Sequence, residues 1–266
     1  MTNSRGLAVI TGSSSGIGAV YADRLARRGY DLLLIARNKE RMEQLADKLS
    51  GETGRKVEVL AADLTNPHDL DQVESLLRSD TRVTLLVNNA GLGATEPLLK
   101  SDINDMTRMI TLNVEALTRL TYAVTPGLVA RGSGTIINIA SVVAIGPEIL
   151  NGVYGGTKAF VLAFSQSLRS ELAKTGVTVQ VVLPGATATD FWKIAGKPVE
   201  QLPREIVMSA EDAVDAALMG LDQGEFATIP ALPDAAQWQS YEAARQVLMP
   251  NLSRAIPADR YRVAAA

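Results

Sequence analysis

Tyr154 and Lys158 stand four residues apart, so on a helix both side chains share one face. A free tyrosine titrates at about 10, too high to exchange protons readily at neutral pH, and a nearby ammonium favours the phenolate and lowers that value. A tyrosine so placed can give a proton as general acid and take one back as general base. Alone, such a pair is usually only a helix surface. A second cluster, Thr11-Gly12-Ser13-Ser14-Ser15-Gly16-Ile17-Gly18, has a different chemistry. Its glycines permit a tight turn and let backbone N–H groups approach an anion. A helix starting behind them would add free N–H groups and partial positive charge, which suits a pyrophosphate. The same residues also fit a plain turn between strand and helix. Read as Gly12-Ser13-Ser14-Ser15-Gly16, they fit a hydrolase nucleophile elbow, which needs a His partner, and the single histidine is His68.

Composition narrows the chemistry further. The chain of 266 residues has no cysteine and one histidine, which excludes disulfides, thiol nucleophiles, Cys-ligated metals and His-cluster metal sites. No metal site is expected. A net charge of −3 argues against nucleic acid as a partner. The N-terminal run reads as a first strand rather than a signal peptide, and no apolar stretch is long enough for a membrane span. A cytoplasmic location is the expectation.

These residues need elements to hold them. Short apolar runs at Leu7–Ile10, Asp31–Ala36, Val57–Ala61, Thr84–Val87, Thr135–Ile139 and Val177–Leu183 read as strands. Helical stripes follow them, including two long ones over about Asp102–Ala130 and Tyr154–Lys174. Asn66, Pro67 and Asp69 mark the start of the third helix. Apolar strands that alternate with helices predict an α/β fold with a doubly wound parallel sheet, covered on both faces. One domain is expected over 1–266. The irregular stretch 186–208, with Gly196, Pro198 and Pro203, reads as a lid loop. A helix at Ala210–Leu221, a short strand at Phe226–Ile229 and a C-terminal helix and tail over 233–266 complete the chain.

Six motifs in this order resemble the short-chain dehydrogenase/reductases: the glycine loop, Asp63-Leu64, Asn88-Asn89-Ala90-Gly91, Ser141, Tyr154-x-x-x-Lys158 and Pro184-Gly185-x-x-x-Thr189. The resemblance covers about residues 5–230. It implies a single Rossmann domain of about seven strands, with ligands at the C-terminal strand ends. It also implies an NADP-dependent oxidoreductase, a carbonyl reductase or alcohol dehydrogenase moving hydride between nicotinamide and a carbonyl or secondary alcohol. Tyr154 would handle the proton, and Lys158 would lower its pKa and hold the nicotinamide ribose. Ser141 would donate to the substrate oxygen, and Asn113 would hold a water on the proton path. The rival from another class is a non-catalytic nucleotide-binding redox sensor of the same fold, which would need no proton relay.

The implied cofactor contacts come from Gly12, Ser14, Ser15, Gly16, Ile17 and Gly18, then Arg37, Asn38, Asp63, Leu64, Asn89, Ala90 and Gly91, and finally Tyr154, Lys158, Pro184, Gly185, Thr187 and Thr189. At the end of the second strand, Ala36-Arg37 replaces the carboxylate that would bind the ribose of NAD. A guanidinium there matches a 2′-phosphate, so NADPH is expected, although Arg37 could also be a solvated helix start. Asp63 either accepts from the adenine amino group or caps its own loop. Asn89-Ala90-Gly91 either lets the backbone pass close to the adenosine or simply ends a strand. Candidate substrate contacts are Ser141, Val143, Ile149, Phe191 and Trp192, an apolar set that suits an uncharged or amphiphilic carbonyl; the two aromatics could instead only pack the loop. Trp238, Tyr241 and Leu248 read as core or subunit interface. Gly155-Gly156 departs from the family pattern and allows a close ligand approach or a tight helix contact. The two long helices resemble those that pair in family dimers, so a homodimer or homotetramer is expected.

Overall fold

The computed structural model describes residues 4–261; residues 1–3 and 262–266, the last part of the expected tail, lie outside the described residues. The strands are β1 (Leu7–Thr11), β2 (Asp31–Ala36), β3 (Val57–Ala61), β4 (Val83–Asn88), β5 (Gly134–Ile139), β6 (Val177–Val182) and β7 (Ala227–Thr228). All pair in parallel, in the order β3-β2-β1-β4-β5-β6-β7. The order reverses beside β1 and β4, and such a switch point opens a crevice at the C-terminal strand ends.

The helices are α1 (Gly16–Arg27), α2 (Lys39–Thr53), α3 (Pro67–Ser79), α4 (Ile103–Ile110), α5 (Leu117–Arg131), α6 (Gly152–Glu171), α7 (Phe191–Ile194), α8 (Ala210–Asp222) and α9 (Ala235–Leu248). On one side of the sheet α1 contacts α2 and α8, and on the other α3 contacts α5 while α4 contacts α6. The first side holds a large core in which Ile10, Tyr21, Leu25, Leu34, Met42, Leu49 and Leu218 are almost fully buried. This double burial is why the strands carry apolar residues on both faces. α3 starts as its residues require, with Asn66 Oδ1 accepting from the N–H groups of His68 and Asp69 and Pro67 in the first turn.

The expected helix over Asp102–Ala130 is interrupted. Between α4 and α5, Thr111–Ala116 winds as a π-helix, and Asn113 lies within it. An inserted residue has no hydrophobic-pattern signature, so periodicity alone reads straight through it. α6 begins two residues before Tyr154 because Asn151 caps it, its Oδ1 accepting from the N–H groups of Val153 and Tyr154. At Gly155 a Cβ would lie 2.8 Å from Pro147 Cβ and 2.9 Å from its Cα, so this glycine serves a contact with the turn Pro147–Ile149. Pro147–Ile149 is a short 3₁₀ helix, so of the two alternatives it is the close helix contact that Gly155 serves, while Gly156 faces open space.

Contacts divide the chain into one unit ending at Pro230 and another starting at Ala231. In the second unit, α9 stacks Trp238 on Tyr241 with ring centroids 5.4 Å apart and buries none of its residues. The core alternative for Trp238, Tyr241 and Leu248 is thereby removed. Among the described residues, no helix is long and apolar enough to cross a membrane.

Candidate active site

The glycine loop joins the end of β1 to α1 and folds as its glycines permit. Gly12 and Gly16 take φ of +66° and +54°, where side chains are strained. A Cβ on Gly18 would lie 2.3 Å from the Gly12 carbonyl oxygen. Thr11 and Asn89 bind the loop to the end of β4. The Thr11 hydroxyl donates to the Val87 carbonyl and accepts from the N–H groups of Asn89 and Ala90. Asn89 Nδ2 donates to the carbonyls of Thr11 and Gly12. The Asn89 side chain therefore shapes the loop, and Thr11, the first residue of the glycine-loop motif, ties that loop to the end of β4.

Ser15 is the N-cap of α1, yet its side chain accepts no capping hydrogen bond, whereas asparagine, aspartate or serine side chains cap α2, α3, α4, α6, α8 and α9. The first amides of α1 are thus left open to an outside acceptor. That opening, lined by Ser14, Ser15, Gly16 and Ile17, is the kind of site a dinucleotide pyrophosphate would fit. From the end of β6, Thr189 folds back over this loop, so that a Cβ on Gly16 would lie 2.8 Å from Thr189 Cγ2.

At the end of β2, Arg37 is exposed and Asn38 spends its side chain capping α2, Oδ1 accepting from the Arg41 N–H. Asp63 follows β3. Its Oδ1 accepts from the N–H and hydroxyl of Thr65, and its Oδ2 lies 3.5 Å from Arg108. Burial raises its pKa, but the Thr65 hydrogen bonds and the charges of Arg37 and Arg108 outweigh this and hold it below the usual carboxylate value. The loop-capping alternative is therefore realised in one oxygen. Leu64 is buried beside it.

Ser141, Tyr154 and Lys158 converge at the ends of β5 and β6. Ser141 Oγ donates to the Pro184 carbonyl at 3.3 Å. Lys158 Nζ, buried, donates to the Ile139 carbonyl at 2.8 Å and sits 5.9 Å from the centre of the Tyr154 ring. Burial pushes the Lys158 ammonium down to about 8. It pushes the Tyr154 hydroxyl up to about 12, offset only in part by Ser141. The lowered tyrosine expected from Lys158 is absent from the protein by itself, because desolvation outweighs every other influence on the phenol. A Cβ on Gly91 would lie 3.2 Å from Asn113 Oδ1 and 3.6 Å from Lys158 Nζ, so the Gly91 backbone edges the same pocket.

Asn113 clamps this region. Its Nδ2 donates to the Leu92 carbonyl and the Thr157 hydroxyl, and its Oδ1 accepts from the Leu92 N–H. Thr157 in turn donates to the Tyr154 carbonyl. The side chain expected to hold a water is thus engaged in holding the loop after β4 to α6.

Above Tyr154 lies an apolar cluster of Met106, Met109 and Val143, packed with Leu92, Leu150 and Phe191. Trp192 is buried, its Nε1 donating to the Thr187 carbonyl, while Ile149 is 63% exposed and belongs to the rim. The stretch 186–208 is tied at its base, where Met208 N–H donates to Ala186 and Ala188 N–H to Met208. Thr187 and Gly185 are joined by a hydroxyl–carbonyl bond at 3.2 Å. His68 stands exposed in the first turn of α3, after edge strand β3, two strands from β1, which leaves the nucleophile-elbow reading without its partner. Among the described residues, no group of three or more acidic or His side chains could hold a metal.

A short chain dehydrogenase family model matches residues 6–199. The fold is also similar to solved structures. A short-chain dehydrogenase from Sphingobium yanoikuyae in complex with NADPH is 50% identical, with TM-score 0.94 over 97% of this chain and 100% of that one. A bulky-bulky ketone specific alcohol dehydrogenase from Comamonas testosteroni is 44% identical, with TM-score 0.90 over 97% and 99%. Among curated proteins, the very-long-chain 3-oxoacyl-CoA reductase of Anas platyrhynchos is 35% identical over 193 residues, which is 71% of this chain but only 62% of that protein. The crevice at the switch point, the open amides of α1 and the buried Tyr154–Lys158 pair thus have a common explanation in descent: the chain belongs to the short-chain dehydrogenase family.

Proposed function

We propose that the chain is an NADPH-dependent oxidoreductase that interconverts an uncharged ketone or aldehyde and its alcohol. The observation that carries this reading is the buried Tyr154–Lys158 pair, with Tyr154 packed into an apolar cluster. The relative from Sphingobium yanoikuyae, in complex with NADPH, supports the cofactor, and the ketone-specific relative from Comamonas testosteroni supports the substrate class. Bound nicotinamide would supply or accept the hydride. The protein's part is to hold the carbonyl and to move the proton. Ser141 Oγ turns its proton from the Pro184 carbonyl to the substrate oxygen, and Tyr154 Oη passes its proton to that oxygen as the alcohol forms. The Lys158 ammonium steadies the phenolate left behind. Arg37 binds the 2′-phosphate, and the apolar walls exclude water. Residues 186–208 act as a lid within a single domain, and the absence of cysteine suits a reducing cytoplasm.

The test is a panel of ketones, aldehydes and alcohols assayed with NADPH and NADH at the nicotinamide absorbance. Tyr154→Phe is expected to lose at least about 10²-fold in turnover, the scale of general acid catalysis, while NADPH binding is kept. Full activity in that variant overturns the proton role. No turnover on any carbonyl, with NADPH still bound, favours the redox-sensor alternative.

A further inference from the structure

α7 puts two aromatic rings side by side with different duties. Trp192 turns inward, anchored through Nε1 to the Thr187 carbonyl. Phe191 meets it edge-on, with ring centroids 5.7 Å apart and planes at 89°, and projects toward Tyr154, also at 5.7 Å. The segment around Phe191 is fastened on both sides. Before it, Asp190 pairs with Arg41 of α2 at 3.0 Å. After it, the Ala195 carbonyl accepts from both the N–H and the hydroxyl of Thr95.

Gly93 lies under this ring. A methyl group at Gly93 would come within 2.1 Å of Phe191 Cζ and 2.6 Å of Cε2, and its three nearest neighbours are all atoms of that ring. The Gly93 backbone does not adopt positive φ. Its lack of a side chain therefore answers first to Phe191.

We propose that Phe191, seated on the bare backbone of Gly93, is the residue that limits substrate size beside Tyr154. This rests on the oxidoreductase reading above. The ring packs against the proton donor, with α7 set in this position by the Asp190–Arg41 pair and the Thr95–Ala195 hydrogen bonds. With the two ring centroids 5.7 Å apart, a bulky substituent on a carbonyl carbon held beside Tyr154 must displace the Phe191 ring.

The experiment compares kcat/KM with NADPH for a small methyl ketone and a ketone bulky on both sides. It uses the wild type, Phe191→Ala, Phe191→Leu, Gly93→Ala and the Gly93→Ala/Phe191→Ala double variant. Phe191→Ala is expected to raise the bulky-to-small ratio about tenfold or more, the usual effect of one apolar pocket contact, and Phe191→Leu to fall between. Gly93→Ala should change the ratio when Phe191 is present and leave it unchanged in the Phe191→Ala background, because the ring it displaces is gone. A flat ratio in both Phe191 variants, or a Gly93→Ala effect equal in both backgrounds, overturns the size limit while leaving the oxidoreductase reading intact. A wild type inactive on both ketones and on the wider panel overturns that reading as well.

Discussion

Lys158 and Tyr154 are displaced in opposite directions by the same cause, removal from water, and each displacement makes stability depend on pH. The unfolded chain keeps the lysine proton up to about 10.5 and the folded chain only to about 8. Between these values the unfolded state binds more protons, so stability rises with pH. Tyr154 is opposite: folded, it keeps its proton to about 12 against 10 unfolded, so its contribution is present below pH 10 and is lost as pH rises through 12. The melting temperature of the ligand-free wild type, measured against Lys158→Met, is expected to climb from pH 8 toward pH 10. A constant difference over that range contradicts the buried-ammonium account. Arg37 gives a second prediction. Exposed at the end of β2 and near the Asp63 carboxylate, it is free of a tight ion pair that a phosphate would have to break. Arg37→Ala should cost about 1–3 kcal/mol of NADPH affinity, the range for a charge-assisted hydrogen bond, and leave NADH nearly unchanged in fluorescence titration. Equal losses for both cofactors exclude the phosphate contact.

The elements that matter most are the irregular ones. The π-helix turns Asn113 toward Leu92 and Thr157, joining the loop after β4 to the helix that carries Tyr154 and Lys158. Asn113→Ala leaves the Leu92 N–H and carbonyl and the Thr157 hydroxyl short of a partner. It should destabilise the protein by about 1–3 kcal/mol in urea unfolding, the cost of stranding buried polar groups, and lower turnover more than NADPH affinity. A fully stable, fully active variant would remove Asn113 from the positioning machinery. The stretch 186–208 is likewise more ordered than its glycines and prolines suggest, with its base paired at Met208 and its first helix fastened by Arg41 and Thr95. If these ties let it open for substrate, limited proteolysis within 186–208 should slow when NADPH and a substrate analogue are present. Equal cutting with and without them would mark a fixed surface excursion.

At the scale of the molecule, the outer face of α5 and α6 carries Tyr122, 65% exposed, stacked on Phe164, which stacks on Phe160. Exposed stacked aromatics are costly to leave in water and suit an interface. A homodimer through this face, alone or within a tetramer, is the expected assembly. Sedimentation at micromolar concentration should give at least twice 28.3 kDa, and Tyr122→Glu should shift it toward the monomer. A wild type sedimenting only as monomer would count against the assembly.

The sequence by itself determined the approximate strand positions, the capped start of α3 and the place of Tyr154, Lys158, Ser141 and the glycine loop. These are set by local chemistry: apolar runs buried on both faces, caps that satisfy helix amides, glycines at positive φ, and a helix repeat that puts two residues on one face. What the tertiary structure decided depends on partners distant along the chain. Asn113 and Asn89 bear signals of polarity only, and both spend their side chains on backbone groups that only the fold brings near. Gly155 and Gly93 carry no pattern of their own, since for each the nearest constraint is a residue the fold seats against it, Pro147 or Phe191. The direction of the Tyr154 shift was also beyond the sequence, because spacing reveals a neighbouring ammonium but not how completely both groups are withdrawn from water.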